Sequence, residues 1–286
     1  MTSRLKIIAT PIGNIRDITL RAIDELKMAD VILAEDTRHL RQLLSALGIA
    51  LKEHARIISC DAKREKERAA LVISSLRQNE RVVLVSDAGS PAISDPGSLL
   101  AQAVVEAQGQ IEVIPGPSAL TASVMGAAID TTRFAFLGFL PKRIKLRQKM
   151  ILDAARAELA LIIYEAPNRV MALLNELFLL LGPRRVVVAR ELTKLFETFH
   201  RGILGQALSP PVVEKGECVI LIEAGKLLEP EPTREESNVL ENYIIQELNN
   251  GASAKDIIKA LIKQFPLKKK AALAKVLEVI KQRDRS

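Results

Sequence analysis

Short runs of branched apolar residues alternate with segments of helical period along the first two-thirds of the chain. Residues 5–9, 31–34, 56–58, 82–85 and 110–114 read as strands. Between them, residues 19–28, 37–47, 65–78 and 97–107 carry apolar side chains at three- and four-residue spacing and read as helices. This alternation predicts a mostly parallel sheet with helices on both faces, because parallel neighbours need a crossover long enough to hold a helix. The Pro115-Gly-Pro117 break ends a first domain, and Ser118 opens a helix of small residues over 119–128. The pattern resumes with strands at 134–138, 159–164, 185–190 and 217–222, helices at 144–156 and 168–181, and a segment at 196–201 able to pair as another strand. Residues 225–236, with Pro230 and Pro232, read as a linker. Helices over 237–249, 253–265 and 267–283 follow. The predicted division is 1–116, 117–226 and 227–286: two α/β domains, then a linker and a helical tail resembling a helix-turn-helix.

The stretch from Val82 to Gly97 stands out. Val82, Val83, Leu84 and Val85 read as a strand buried on both faces. It empties into Ser86-Asp-Ala-Gly-Ser-Pro-Ala-Ile-Ser-Asp-Pro-Gly97, a loop long and dense in turn residues. Open α/β sheets bind ligands beyond the carboxyl ends of their strands, where small side chains let the backbone come close. An ordinary strand–turn–helix connection is the plainer alternative. None of the 14 glycines stands two residues from another, so neither the dinucleotide fingerprint nor a P-loop is present.

Composition narrows the class. A chain of 286 residues with 48% hydrophobic and 26% charged residues is globular, and no apolar run approaches the ~18 residues of a membrane span. The start runs directly into a strand, without the apolar core of a secretory signal. Cys60 and Cys218 give no disulfide framework, and His39, His54 and His200 have no metal-ligand spacing. The expectation is a reduced, cytoplasmic, metal-free protein. Its net charge of +7 is localised: residues 251–286 hold ten Lys or Arg against three Asp or Glu, which equals the whole excess. A basic appendage of this kind points to nucleic acid or another polyanion.

Seven blocks carry a resemblance to the tetrapyrrole methylase superfamily, and within it to the branch acting on ribosomal RNA. In order, they are Thr10-Pro-Ile-Gly-Asn-Ile-Arg-Asp-Ile-Thr19, Glu35-Asp-Thr-Arg38, the 86–97 loop, Pro115-Gly-Pro-Ser-Ala119, Gly138-Phe-Leu-Pro141, Tyr164-Glu-Ala-Pro-Asn-Arg169 and Arg190-Glu-Leu-Thr-Lys194. The resemblance spans roughly residues 5 to 225, and the tail is similar to the C-terminal part of that branch. Asn168 stands where the family usually has His. The resemblance implies S-adenosylmethionine folded into a cleft between two α/β domains. Its matching positions are Pro11, Ile12, Gly89, Ser90, Ile93, Ser118, Ala119, Tyr164 and Ala166. It implies methylation of a cytidine ribose 2′-hydroxyl in the decoding region of 16S rRNA, on free RNA or an assembled small subunit. Relatives are commonly dimers, which implies a homodimer.

A ribose hydroxyl needs help to lose its proton, so a base or a cation should lie near the methyl group. Asp87 and Glu191 are the candidate proton acceptors, and Lys194 and Arg38 the candidate electrostatic stabilisers. Each has a plainer reading: Asp36, Thr37 and Arg38 as a helix start, Asp87 as a loop brace, Glu191 and Lys194 as an ion pair. Lys142, Arg143, Lys145 and Arg147 form one candidate RNA-binding cluster. Lys255, Lys259, Lys263, Lys268, Lys269 and Lys270 form another in the tail. Aromatic residues are only 3% of the chain, so phosphate contacts and shape should dominate RNA binding. Two other classes fit parts of the pattern. A small-molecule methyltransferase acting on a tetrapyrrole has no use for the basic tail, and a non-catalytic ribosome-assembly factor has none for the cofactor loops.

Overall fold

A computed structural model describes residues 4–227, 234–264 and 269–283. Contacts divide the chain into two compact units that meet after Leu227.

The first unit begins with β1 (Arg4–Ile8), α1 (Leu20–Met28), β2 (Val31–Ala34), α2 (Thr37–Ala46) and β3 (Arg56–Ser59). It continues through α3 (Glu65–Arg77), β4 (Val82–Val85), α4 (Ser98–Glu106) and β5 (Gln110–Ile114). These strands form one sheet in the order β3-β2-β4-β1-β5, with every pair parallel. Its central strands are apolar throughout because both faces are covered. On β2 and β4, Ile32, Ala34, Val83 and Val85 pack with Leu26, Leu40 and Leu44 of α1 and α2. The alternate residues Val31, Leu33, Val82 and Leu84 pack with Val72, Leu76, Leu100 and Val104 of α3 and α4. Helix starts use short polar caps: Thr19 Oγ1 accepts from Ala22 N at 3.1 Å, and Asp36 Oδ1 from Arg38 N at 2.7 Å.

The second sheet is built from β6 (Phe134–Phe139), β7 (Ala160–Glu165), β8 (Arg185–Arg190), β9 (Thr198–Ile203) and β10 (Cys218–Ile222). Helices α5 (Ala119–Ala127), α6 (Ile144–Arg156) and α7 (Val170–Leu181) accompany it. The strand order is β6-β7-β10-β8-β9. Here the expected parallel pairing holds only for β6 with β7; β10 runs antiparallel to both its neighbours, and β9 antiparallel to β8. The reason is connection length. Residues 191–197 leave no room for a crossover helix, so β9 must turn back on β8, and 204–217 hold no helix either. Helices α6 and α7 bury Ile151, Ala155, Leu173 and Leu177 on one face. Ala127 of α5, with Ile12 and Leu192, covers Ile162, Val187, Ala189, Val219 and Leu221 on the other.

The second unit holds α8 (Arg234–Asn249), α9 (Ala254–Gln264) and α10 (Lys269–Arg283) around Leu240, Ile244, Ile257, Leu261, Ala272, Val276 and Val279. α8 begins at Arg234, inside the segment read as linker. Ser253 caps α9, its hydroxyl accepting from Asp256 N at 3.2 Å and donating to the Asp256 carboxylate. No helix among the described residues is long and apolar enough to cross a membrane.

Candidate functional site

A cavity of about 510 Å³ opens between the carboxyl end of the first sheet and the second sheet. Four loops of the first domain make one wall. Thr10 and Gly89 exchange backbone hydrogen bonds at 2.8 and 3.0 Å, tying the loop after β1 to the loop after β4. Gly89 has φ +78°, and a Cβ there would meet Ile12 Cγ2 at 3.3 Å. Ala92 and Ser94 also sit in the left-handed region, at φ 69° and 63°. Such strain in a loop persists only where its surroundings hold it. One brace is Ser90, whose hydroxyl donates to Pro117 O at 3.2 Å. Another is Glu65, 4% exposed, whose Oε1 accepts from Gly97 N at 2.7 Å and Leu100 N at 3.3 Å. A carboxylate from α3 thus caps α4, whose own start at Gly97 has no capping side chain.

The opposite wall comes from the second domain: Phe139, the Tyr164–Pro167 turn, Leu192 and Gly216–Val219. Tyr164 packs edge-on against Phe136 and Phe139, at centroid distances of 4.9 and 5.6 Å. Burial pushes its phenol above the ordinary value, opposed by the Leu120 backbone and Ser118. Glu165, 8% exposed, accepts from Ala166 N at 2.8 Å and Arg169 Nε at 2.7 Å, so its charge is already matched.

Three carboxylates, Glu35, Asp87 and Asp95, line the first-domain side. Burial, with Asp87 nearby and Ser86 acting against both, pushes Asp95 up to about 6. Burial followed by Asp95 and Asp87 also raises Glu35. Asp87 is held from both sides: Oδ1 accepts from Asp36 N at 2.8 Å, and Oδ2 lies 3.0 Å from His39 Nδ1. The cavity therefore concentrates negative charge that a cationic ligand would relieve.

Of the residues read from the sequence as cofactor contacts, Ile12, Gly89, Ser90, Ile93, Ser118, Ala119, Tyr164 and Ala166 all line the cavity, and Pro11 does not. Gly116, in the Pro-Gly-Pro turn, lies so close to β1 that a Cβ would meet Ala9 Cβ at 3.0 Å, which is a packing reason for that glycine. Asp87 is on the wall; Arg38, Glu191 and Lys194 are not. Arg38 is 82% exposed and forks onto Asp36, with Nη2 to Oδ2 at 2.6 Å. Lys194 Nζ bridges Glu191 at 2.9 Å and Glu217 at 3.0 Å, beside the cavity. Partial burial opposes it, but Lys194 and the Glu217 backbone hold Glu191 below the usual carboxylate range. Glu191 and Thr193 have φ 52° and 65°, and a β-branched residue rarely adopts that conformation. Thr193 Oγ1 accepts from Asn14 N at 3.1 Å, and a Cβ on Gly13 would strike Lys194, so this strained turn is a contact between the domains.

Sequence reasoning gave no role to Glu35, Asp95, Phe139, Glu165, Leu192 or the Gly216–Val219 segment. The five single residues stand inside the seven motif blocks, but Gly216–Val219 had no motif to mark it.

Among the candidate RNA contacts, Lys142, Arg143 and Lys145 are exposed, and the described residues offer them no ion pair. Arg147 instead pairs with Glu176, at 2.9 Å from Nε and 2.6 Å from Nη2. Lys255, Lys259 and Lys263 are exposed along α9, away from the buried Ile257 and Leu261. Lys268 lies outside the described residues, as do the side chains of Lys269 and Lys270.

Residues 4–208 match the family model described as Tetrapyrrole (Corrin/Porphyrin) Methylases. A protein named ribosomal RNA small subunit methyltransferase I from Escherichia coli O157:H7 is 35% identical, covering 98% of this chain and 92% of its own. Its namesake from Halalkalibacterium halodurans is 36% identical over 89% and 88%. Among solved structures, the methyltransferase CobJ superposes with a TM-score of 0.59 at 21% identity, covering 78% of this chain and 95% of its own.

Proposed function

The chain belongs to the tetrapyrrole methylase family, and from that premise we propose that it binds S-adenosylmethionine in the cavity and methylates a cytidine ribose 2′-hydroxyl in the decoding region of 16S rRNA. It is a methyltransferase. The Escherichia coli relative named for ribosomal RNA matches it along nearly its whole length, basic tail included, which favours RNA over a tetrapyrrole as substrate. The proposal includes a cytoplasmic homodimer acting on 16S rRNA or the assembled small subunit.

The observation that carries the cofactor assignment is the cavity wall. Small-residue loops admit a nucleoside closely, and Glu35, Asp87 and Asp95 complement a cation. S-adenosylmethionine, when bound, supplies a methyl group on a positively charged sulfur. Ile12, Gly89, Ser90, Ile93, Ser118, Ala119, Tyr164 and Ala166 would hold it, with Pro11 shaping the first loop. The protein then has to align the ribose oxygen for in-line attack and exclude water. Asp87 is the proton acceptor in this reading. A proton received at Oδ2 lies one hydrogen bond from His39, whose side chain is 57% exposed and opens a route to solvent. Arg38, forked onto Asp36, and Lys194, braced by Glu191, are the cations assigned to the developing charge.

The test is to incubate the protein with labelled S-adenosylmethionine and small subunits, then digest the RNA with alkali. A ribose methyl blocks the attacking hydroxyl, so the labelled position should survive as an uncleaved dinucleotide. Full alkaline cleavage there would shift the assignment to a base. The same incubation with tetrapyrroles should give no labelled product.

Lys142, Arg143 and Lys145, with the tail lysines, are assigned to RNA phosphates. Removing residues 251–286 should weaken RNA binding and flatten its salt dependence, each lost phosphate contact taking about 0.7 to 0.9 from the log–log slope. S-adenosylmethionine affinity should stay as it was. A folded truncation with an unaltered salt slope would return the tail's charge to simple solvation.

A further inference from the structure

The residues around Phe139 bear on how the substrate nucleotide is held, an inference that rests on the RNA-methylating reading above. In a regular strand, Phe136 and Phe139 would point to opposite faces, because side chains alternate. They do not. The β6–β7 register shifts between Phe136 and Gly138, so that Phe136 faces Ile162 and Phe139 faces Tyr164, with Leu137 as the extra residue. A bulge of this kind re-aims the side chains that follow it. Gly138, at φ +59°, makes it possible, and a Cβ there would lie 2.9 Å from Ser94 Oγ in the 89–97 loop. As a result Phe136 and Phe139 both pack edge-on against Tyr164.

The outcome is an aromatic side chain spent on the surface of a chain that has few. The sequence holds seven Phe, two Tyr and no Trp. Phe139 is 59% exposed and lines the cavity, while Tyr164 is wedged beside both phenylalanines. Exposing a ring costs burial that folding would otherwise gain. Directly after it come Lys142 and Arg143, then Lys145, all exposed and unpaired among the described residues. Three residues of chain reach at most ~11 Å, so Lys142 stays close to the ring.

We propose that Phe139 is the platform on which the target nucleobase stacks once it leaves its neighbours, with Lys142 and Arg143 gripping the flanking phosphates. RNA is read in this way where single strands meet exposed aromatic rings beside basic residues. Methylation at a ribose requires the nucleotide to enter the cavity mouth, and a stacked base fixes the sugar relative to Asp87.

The test compares Phe139→Ala with Phe139→Trp, using small subunits that lack the methyl group and saturating labelled S-adenosylmethionine. For Phe139→Ala, kcat/KM towards the subunits should fall by about 5- to 150-fold, the range that one base–aromatic stack supplies. Phe139→Trp should retain most of the activity, and cofactor affinity by calorimetry should be unchanged in both. Activity of Phe139→Ala equal to the wild type overturns the proposal. So does a parallel loss of cofactor affinity, which would make the ring part of the cofactor wall, or an equal loss in Phe139→Trp. A wild-type protein inactive on subunits overturns the functional reading itself, and is separable from all of these.

Discussion

Asp87→Asn is expected to lower methyl transfer by about 10²- to 10⁴-fold, the usual contribution of a positioned proton acceptor. The substitution keeps the shape of the side chain and the oxygen that accepts from Asp36 N. It replaces the oxygen facing His39 with an amide nitrogen, which cannot take a proton. Turnover under saturating S-adenosylmethionine and RNA is the measurement, with cofactor affinity and thermal unfolding as controls. Turnover close to the wild type would move the acceptor elsewhere. Glu191 is the weaker alternative, because unlike Asp87 it does not line the cavity, and Lys194 and the Glu217 backbone both engage its Oε1.

Ser90→Trp is expected to abolish cofactor binding while the protein stays folded. Ser90 lines the cavity and is braced through its hydroxyl to Pro117 O. An indole at that position has nowhere to go but into the ~510 Å³ that a nucleoside would occupy. Losing the single hydroxyl contact costs only about 1 kcal/mol of stability, so unfolding should not confuse the result. Calorimetry with S-adenosylmethionine reads the outcome. A folded Ser90→Trp with wild-type affinity would remove the cofactor from this cavity.

The sequence exposed the 86–97 loop because its glycines, prolines, serines and aspartates cluster after an apolar strand. The first sheet was equally readable, since Val31–Ala34 and Val82–Val85 are apolar on both faces and helices fill the gaps between strands. Other features left no local trace. Glu65 caps a helix that begins 33 positions further on, and at its own position it resembles any charged residue at a helix start. The bulge at Leu137 depends on pairing with β7, so strict alternation along Phe134–Phe139 misassigns the face of Phe139. The wall made by Gly216–Val219 comes from the start of a strand that is legible as a strand, but its place beside the cavity is set by the antiparallel insertion of β10 between β7 and β8.

That insertion has a consequence for how the protein is made. β10 is the last strand of its sheet to be synthesised, yet it occupies the middle, between β7 and β8. Until residues 218–222 have left the ribosome, β7 and β8 each present a bare edge of unpaired amides and carbonyls, the arrangement most prone to pair with another chain. During that interval the cavity also lacks Gly216–Val219. A nascent chain interrupted before this point would hold the strands and helices of the first domain and most of the loops that line the cavity, but not the segment that completes its second wall. Competence for methyl transfer therefore arrives late in translation, with a strand of five residues.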